Sequence, residues 1–281
     1  DDKDGNWDYI DDDLMGLKNC ETTVTVYLPE NAQGLENLEA MKLELKALKK
    51  RDVNNEFGRL GYELKNVKEE DWANNWKQYF HQFYIDDILV IPSWENIKPE
   101  DTDKMVLHID PGTAFGTGMH ETTQLCIRQL RKFITPETEL LDVGTGSGIL
   151  AILSLMFGAK HAVGTDLDIC AVEAVAQNCE VNGIDPAQFD MMIGNIITDK
   201  EVQDKVGYEC YDIVVANILA DVLVPLTPVI VHQLKKGGIY ITSGIIDDKE
   251  QTVVEAVKAA GLEVLEVTYQ GEWVSVTARK N

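Results

Sequence analysis

The feature that most constrains the fold is an apolar strand pattern that continues directly into a glycine-rich turn and then into an apolar helix pattern. Residues 141–150 have the sequence LDVGTGSGIL, in which the glycines are spaced G-x-G-x-G. Eighteen residues after Gly148, Asp166 ends a second apolar strand pattern. Open α/β sheets hold nucleosides with a glycine turn after one strand and an acidic residue at the end of the next. The pattern therefore predicts a parallel sheet with a nucleoside site at the carboxyl ends of its strands.

The glycine spacing indicates which nucleoside this site holds. Dinucleotide sites use G-x-G-x-x-G, which places a pyrophosphate at a helix N-terminus. The shorter spacing resembles the S-adenosylmethionine (SAM) version of the site, in which the methionine and ribose need only a close approach of the backbone. We expect Gly144 and Gly146 to allow that approach. Asp142 is expected to anchor the turn or the methionine ammonium group, and Asp166 to accept both ribose hydroxyls. The alternative role of Asp166 is to cap the next helix, for which Asp168 is better placed.

Helical and strand patterns alternate through most of the C-terminal part, as in βαβ proteins. The predicted helices are 122–132, 148–157, 168–181, 219–235 and 247–260, and the predicted strands are 139–143, 161–165, 190–194, 212–216 and 239–242. Two further alternating runs, 262–269 and 273–277, are separated by a short turn and predict a terminal β-hairpin. Such a hairpin adds an antiparallel strand to a parallel sheet, which favours a SAM-dependent enzyme over a dinucleotide dehydrogenase.

The N-terminal part predicts a separate, small α+β module. Its predicted elements are a strand at 22–28, a helix at 35–48, a strand at 60–67, a helix at 69–80, and strands or hairpins at 83–92 and 105–109. Trp72, Trp76 and Tyr79 share one face of the helix at 69–80, which indicates core or interdomain packing or, alternatively, a substrate contact. The predicted fold class is therefore α/β, a Rossmann-like sheet with a terminal antiparallel hairpin, plus a small N-terminal α+β domain.

A second candidate segment, DPGTAFGTGMHETT at 110–123, precedes the first strand of the sheet. It contains Pro and three Gly but no G-K-[ST], so it does not match a P-loop. We expect this loop to fold over the bound cofactor, whereas taken alone it would be interpreted as a flexible turn. Its polar groups are His120, Thr117 and Thr123, and its stacking group is Phe115.

A third candidate segment is ANILAD at 216–221, at the carboxyl end of the fourth predicted strand. In an open α/β sheet, a crevice forms there at the topological switch point. The carboxamide oxygen of Asn217 can accept hydrogen bonds from a substrate amine. The alternative is that Asn217 caps the following helix.

Charge and cysteine usage limit the partners. Lys and Arg total 25 against 48 Asp and Glu, and the net charge of −23 disfavours phosphate-backbone binding and favours a basic partner or simply solubility. Five scattered cysteines without a C-x-x-C pair predict neither a metal site nor a disulfide framework. No apolar run reaches the roughly 18 residues of a membrane span, so we expect a cytoplasmic protein without membrane contact. We also expect a monomer.

Together these segments resemble the PrmA-type methyltransferases, which modify the large-subunit ribosomal protein L11. The residues that carry the resemblance are Trp7–Ile10, Glu70–Lys77, Ile91–Trp94, Asp110–Thr123, Asp142–Leu150 and Ala216–Asp221. The glycine turn is shared by many SAM enzymes, but F-G-T-G-x-H-x-T-T and A-N-I-L-A-D are far more specific.

The resemblance implies three regions: a substrate-recognition domain at 1–67, a linker at 68–104 and a SAM-dependent methyltransferase domain at 105–281. Because the chain begins without Met, we expect the first region to be incomplete at its start. The resemblance also implies methylation of lysine ε-amino and N-terminal α-amino groups, with Thr123, Gly144, Asp166 and Asn217 contacting SAM. We expect Asn217 to orient the neutral amine, and His120 either to relay a proton to water or to order its loop. The rival functions are a small-molecule methyltransferase and a catalytically inactive SAM-binding module.

Overall fold

The structure, a computed structural model, describes residues 26, 32–52, 60–64, 81–110 and 118–281. The chain divides into two units, residues 1–68 and residues 69–281. The predicted helix at 69–80 lies outside the described residues, as does the predicted strand at 22–28 apart from Val26.

The described part of the N-terminal unit is mainly one helix. This helix, α1, spans Ala32–Arg51 and confirms the helical spacing of the apolar residues there. Its last turn carries Lys49, Lys50 and Arg51, whose positive charges favour the negative end of the helix dipole. The predicted strand at 60–67 is wrong over residues 60–64, which form no strand. Leu60 has a φ of 44°, in the left-handed region that strand pairing does not use.

The C-terminal unit begins with a small sheet of three strands. They are β1 (Phe83–Ile85), β2 (Ile88–Ile91) and β3 (Met105–His108). β1 and β2 form an antiparallel hairpin, and β3 runs parallel to β2, so the strands predicted at 83–92 and 105–109 are confirmed. The hairpin turn is held by two ion pairs, Arg128 with Asp86 and Arg131 with Asp87.

The main sheet has seven strands in the order β6-β5-β4-β7-β8-β10-β9. The strands are β4 (Glu139–Val143), β5 (His161–Asp166), β6 (Phe189–Ile193), β7 (Tyr211–Asn217), β8 (Leu234–Ile246), β9 (Leu262–Gln270) and β10 (Trp273–Lys280). The first five in that spatial order are mutually parallel, while β10 pairs antiparallel with both β8 and β9. The predicted parallel sheet with a terminal antiparallel hairpin is therefore confirmed.

Helices cover both faces of this sheet. They are α2 (Glu121–Phe133), α3 (Ile149–Met156), α4 (Cys170–Val181), α5 (Lys200–Val206), α6 (Ala220–Ile230) and α7 (Glu250–Ala259). Successive strand residues point to opposite faces, so Leu140 packs in one buried group with α2 and α3 while Leu141 packs in the other with α6 and α7. None of the helices in the described part of the chain combines the length and apolar character needed to cross a bilayer.

Two predictions about element boundaries in this region are wrong. The predicted helix at 219–235 ends earlier, at Ile230, and β8 starts at Leu234 rather than at 239. Residues 236–238, which lie between the predicted helix and the predicted strand, form a bulge within β8, because Tyr211 pairs with Leu234 while Ile213 pairs with Ile239. Gly237 takes a φ of 79°, which the bulge requires and glycine provides.

The short helix α5 was not predicted. It is capped by Asp199, whose Oδ1 accepts the N–H of Glu201 at 2.9 Å. A helix of seven residues offers too few turns for a clear apolar periodicity, and its capping aspartate was the only available signal.

Candidate active site

The glycine turn lies between β4 and α3, as the sequence predicts. Gly144, Gly146 and Gly148 have φ values of 74°, 53° and 82°, in the left-handed region that glycine adopts without strain. The N–H groups of Gly144 and Thr145 donate to the carbonyl of Thr165 in β5, at 2.8 and 3.1 Å. The turn is thereby fixed against the end of the neighbouring strand.

Asp166 holds the same turn through its side chain. Its Oδ2 accepts the N–H of Gly146 at 2.8 Å, and its Oδ1 accepts the N–H of Asp168 at 2.9 Å. A carboxylate oxygen can accept about two hydrogen bonds, so both oxygens keep capacity for ligand hydroxyls. Asp168 takes the capping role suggested for it, accepting the N–H of Cys170 at 2.9 Å. Leu167, which sequence reasoning missed, is 70% exposed beside Asp166 and presents an apolar surface at the site.

Asp142 is a buried carboxylate with one oxygen left unsatisfied. It is 1% exposed, and its Oδ2 accepts the hydroxyl of Thr145 at 2.8 Å. Its Oδ1 has no hydrogen-bond partner among the described residues. Burial raises the pKa of this carboxyl from 3.8 to about 7, although the Thr145 hydroxyl acts in the opposite direction. A buried acceptor of this kind suits a cationic group that would hold it ionised.

Asn217 and Thr123, predicted from two separate segments, are in direct contact. Asn217 ends β7, and its Nδ2 donates to Oγ1 of Thr123 at 3.1 Å. Thr123 is 1% exposed in the first turn of α2. The alternative role of Asn217 as a helix cap is wrong, because α6 is preceded by Leu219 and has no side-chain cap. The Oδ1 of Asn217 accepts no hydrogen bond from the described residues.

His120 is held in place as the N-cap of α2. Its Nδ1 accepts the N–H of Thr122 at 3.3 Å and lies 2.9 Å from the Thr122 hydroxyl. Its ring meets that of Trp273 edge-on, with 4.8 Å between centroids. Because Nδ1 serves as an acceptor, the neutral imidazole carries its proton on Nε2. These contacts support the alternative in which His120 orders its loop, and the proton relay stays a prediction. Phe115 lies outside the described residues, as does Thr117.

Asn178, which sequence reasoning missed, connects the glycine turn to the segment that follows β3. This fully buried side chain accepts the N–H of Asp110 through Oδ1 and donates to the carbonyl of Ser147 through Nδ2, each at 2.9 Å. A single carboxamide therefore fixes both the turn and the start of the loop predicted to cover the cofactor. The only sequence signal was an Asn on the otherwise apolar face of α4. Within the described residues, no group of three His, Cys, Asp or Glu side chains could hold a metal ion.

Comparison with known proteins identifies the family. The family model for ribosomal protein L11 methyltransferase (PrmA) matches residues 2–281. The chain belongs to the PrmA family. Membership confirms the predicted resemblance, the enzyme class of a SAM-dependent protein methyltransferase and SAM as the cofactor.

Individual members of the PrmA family give the same result. The chain is 58% identical over 213 residues to a ribosomal protein L11 methyltransferase of Agathobacter rectalis, an alignment that covers 75% of this chain and 66% of that protein. It is 49% identical over 258 residues to one from Lachnospira eligens, covering 92% and 80%. The crystal structure of a ribosomal protein L11 methylase from Lactobacillus delbrueckii subsp. bulgaricus superposes with a TM-score of 0.64 at 30% identity, covering 72% of this chain and all of that one.

Proposed function

We propose that this protein transfers methyl groups from SAM to lysine ε-amino and N-terminal α-amino groups of ribosomal protein L11. The substrate class follows from the PrmA family and from the names of its most similar relatives. The observation that carries the proposal is the contact between Asn217 and Thr123, which presents a carboxamide oxygen at the end of β7. A small-molecule methyltransferase would leave residues 1–67 without a role, so we retain them as the substrate-recognition domain.

The residues present fit the proposed cofactor. The unsatisfied Oδ1 of Asp142 suits the methionine ammonium group, and the left-handed glycines Gly144 and Gly146 let the backbone approach closely. Asp166 retains acceptor capacity for the ribose hydroxyls. When bound, SAM supplies an electrophilic methyl group on its sulfonium. The protein therefore needs no covalent nucleophile of its own.

The protein's task at the acceptor side is to position a neutral amine and exclude water. A lysine ammonium has an ordinary pKa of about 10.4 and must lose a proton before it can attack, and desolvation lowers that pKa. Thr123 accepts from Nδ2 of Asn217 and so leaves Oδ1 of Asn217 to accept an N–H from the amine. This hydrogen bond directs the amine and its lone pair. His120 keeps the start of α2, and hence Thr123, in place.

The charge of the chain matches the proposed partner. A net charge of −23 attracts a basic protein and disfavours direct contact with nucleic acid. We place the reaction in the cytoplasm and assign it to a monomer.

The test is to incubate the protein and methyl-labelled SAM with ribosomal proteins from cells that lack this activity, and to locate the label by mass spectrometry. We expect label on lysine side chains and the N-terminus of L11. The Asp166→Ala variant, assayed in parallel, is the control for label that a contaminating enzyme would transfer. Label on a small metabolite only, with L11 untouched, would refute the proposed function.

A second prediction concerns the pH dependence of SAM binding. The Asp142 carboxyl, with its pKa of about 7, must ionise to pair with the ammonium group. SAM affinity should therefore rise as pH increases to about 7, be about tenfold weaker at pH 6 than at its plateau, and decline again above about 8 as the α-amino group loses its proton. Below pH 7, binding should release up to one proton, measurable by calorimetry in buffers of different ionisation enthalpy.

Asp142→Asn provides the control for that prediction, since the amide keeps an acceptor for Thr145 and cannot titrate. It should bind SAM more weakly than wild type, and its SAM affinity should no longer rise as pH increases to about 7. In the unliganded protein, the raised pKa means that Asp142 keeps its proton up to a higher pH in the folded state than in the unfolded state. The stability that this group contributes therefore falls as pH rises from 3.8 to about 7. The same variant should remove that slope. Unchanged proton release in Asp142→Asn would contradict the assignment.

A further inference from the structure

We infer that Gly244 is a positioning residue for methyl transfer, because only a glycine at this point of β8 lets the peptide of Ile218 lie where it holds Asn217 in place. Asn217 pairs with Ser243 across β7 and β8, and the N–H of Ile218 continues that pairing by donating to the Ser243 carbonyl at 3.2 Å. The inference rests on the proposed role of Asn217 in orienting the amine.

The space above Gly244 is filled by backbone. A Cβ at this position would lie 2.3 Å from the carbonyl oxygen of Ile218, 2.7 Å from its carbonyl carbon and 3.1 Å from its nitrogen. In protein structures, a Cβ atom essentially never lies within 3.0 Å of such a neighbouring atom, and a backbone carbonyl cannot rotate away as a flexible side chain does. Gly244 also has a φ of 82°, which side-chain-bearing residues rarely adopt. The sequence therefore provides a glycine where β8 and the end of β7 touch through their main chains.

Ile218 is confined on its other side by the cofactor turn. A Cβ on Gly144 would lie 2.6 Å from Cγ2 of Ile218, so this glycine too is required by Ile218. Ile218 thus fits between the turn that binds SAM and the end of β8. The residue immediately before it is Asn217. The two glycines consequently fix how far the carboxamide stands from the glycine turn, which sets the distance between amine and cofactor.

A methyl group at residue 244 should displace the Ile218 peptide and with it the hydrogen bond from Asn217 to Thr123. Misplacement of a reacting group by about 1 Å can cost about a hundredfold in rate. Although the resemblance places Asn217 and Thr123 at SAM, the Kd for SAM should change far less than kcat, because Asp142, Gly146 and Asp166 hold the cofactor turn through bonds that do not involve Ile218. The signature is therefore a fall in kcat with a nearly constant Kd for SAM.

Gly237 supplies a matched control in the same strand. Its φ of 79° is nearly that of Gly244, but a Cβ at Gly237 would meet nothing within 4 Å. Gly244→Ala and Gly237→Ala therefore place an alanine at nearly the same positive φ and differ in the contact with Ile218. With L11 as substrate, we expect kcat to fall about 30- to 100-fold in Gly244→Ala and less than twofold in Gly237→Ala. The Kd for SAM should stay within threefold in both.

A double-mutant cycle separates positioning from general loss of structure. If Gly244→Ala acts through Asn217, it should lower kcat by less than threefold in an Asn217→Ala background. Should Gly244→Ala fail to fold, Ile218→Ala takes its place in the same cycle, with an expected tenfold loss of kcat at constant SAM affinity. Equal kcat in Gly244→Ala and Gly237→Ala, or full additivity with Asn217→Ala, would overturn the inference. Absence of L11 methylation by the unaltered protein would instead overturn the proposed function.

Discussion

Replacing Asp166 with alanine is expected to abolish measurable SAM binding, weakening it by about 10²- to 10⁴-fold. The wild-type carboxylate accepts the N–H of Gly146 at 2.8 Å, so its loss frees the glycine turn as well as removing the acceptor for the ribose hydroxyls. Hydrogen bonds to a charged group contribute about 1.5–3 kcal/mol each, so two lost ligand bonds amount to about 3–6 kcal/mol. Each 1.4 kcal/mol is a factor of about ten in Kd.

Two other variants show whether the loss of SAM affinity is caused by removal of the Asp166 carboxylate. Asp168→Ala removes a neighbouring aspartate whose observed bond is the cap to Cys170, so it should lower stability by about 1 kcal/mol and leave SAM affinity unchanged. Asp166→Asn keeps an acceptor and should lie between wild type and Asp166→Ala. Isothermal titration measures all three. A Kd for Asp166→Ala within tenfold of wild type would contradict the assignment of Asp166 to the ribose.

The sequence was sufficient to predict the main sheet because local signals there agree with one another. Buried parallel strands are apolar throughout, their helices are amphipathic or apolar, and the glycine turn and Asp166 end consecutive strands. The same signals were sufficient to predict that Asp142, Gly144 and Gly146 lie at one site. The contact between Asn217 and Thr123 joins residues 94 positions apart and was not predicted, because only the family resemblance placed both residues near SAM.

What the sequence could not provide depends on contacts between distant main-chain atoms. The bulge at Gly237 and the tight approach at Gly244 both involve a glycine in β8, and nothing in the local pattern separates an open position from a crowded one. Asn178 gave no sign of its role because its two partners, Asp110 and Ser147, lie 68 and 31 residues away. Such residues are recognised only once the strands are in register.

Asn217→Ala is expected to lower kcat about 10²- to 10³-fold, by analogy with removal of a single positioned hydrogen-bonding group in other active sites, and to weaken SAM binding far less than Asp166→Ala does. The reason is geometric: the side chain belongs to the acceptor side of the site, and its observed bond is to Thr123 rather than to the glycine turn. Single-turnover methylation of L11 measures the chemical step directly. A kcat within threefold of wild type would contradict the proposed role of Asn217 in orienting the amine.

Asn217→Asp tests how the carboxamide acts, because it changes charge while nearly preserving shape. A carboxylate beside the incoming amine stabilises its ammonium form and raises its pKa, so fewer amines are neutral at pH 7. The variant should be slow at neutral pH and recover as pH rises, with its rate profile displaced to higher pH than that of wild type. Thr123→Val removes the acceptor for Nδ2 and should lower kcat without displacing that profile. If Asn217→Asp instead lowers the rate equally at all pH values, the oxygen of Asn217 does not contact the reacting amine, and the residue acts only through the packing of β7 against α2.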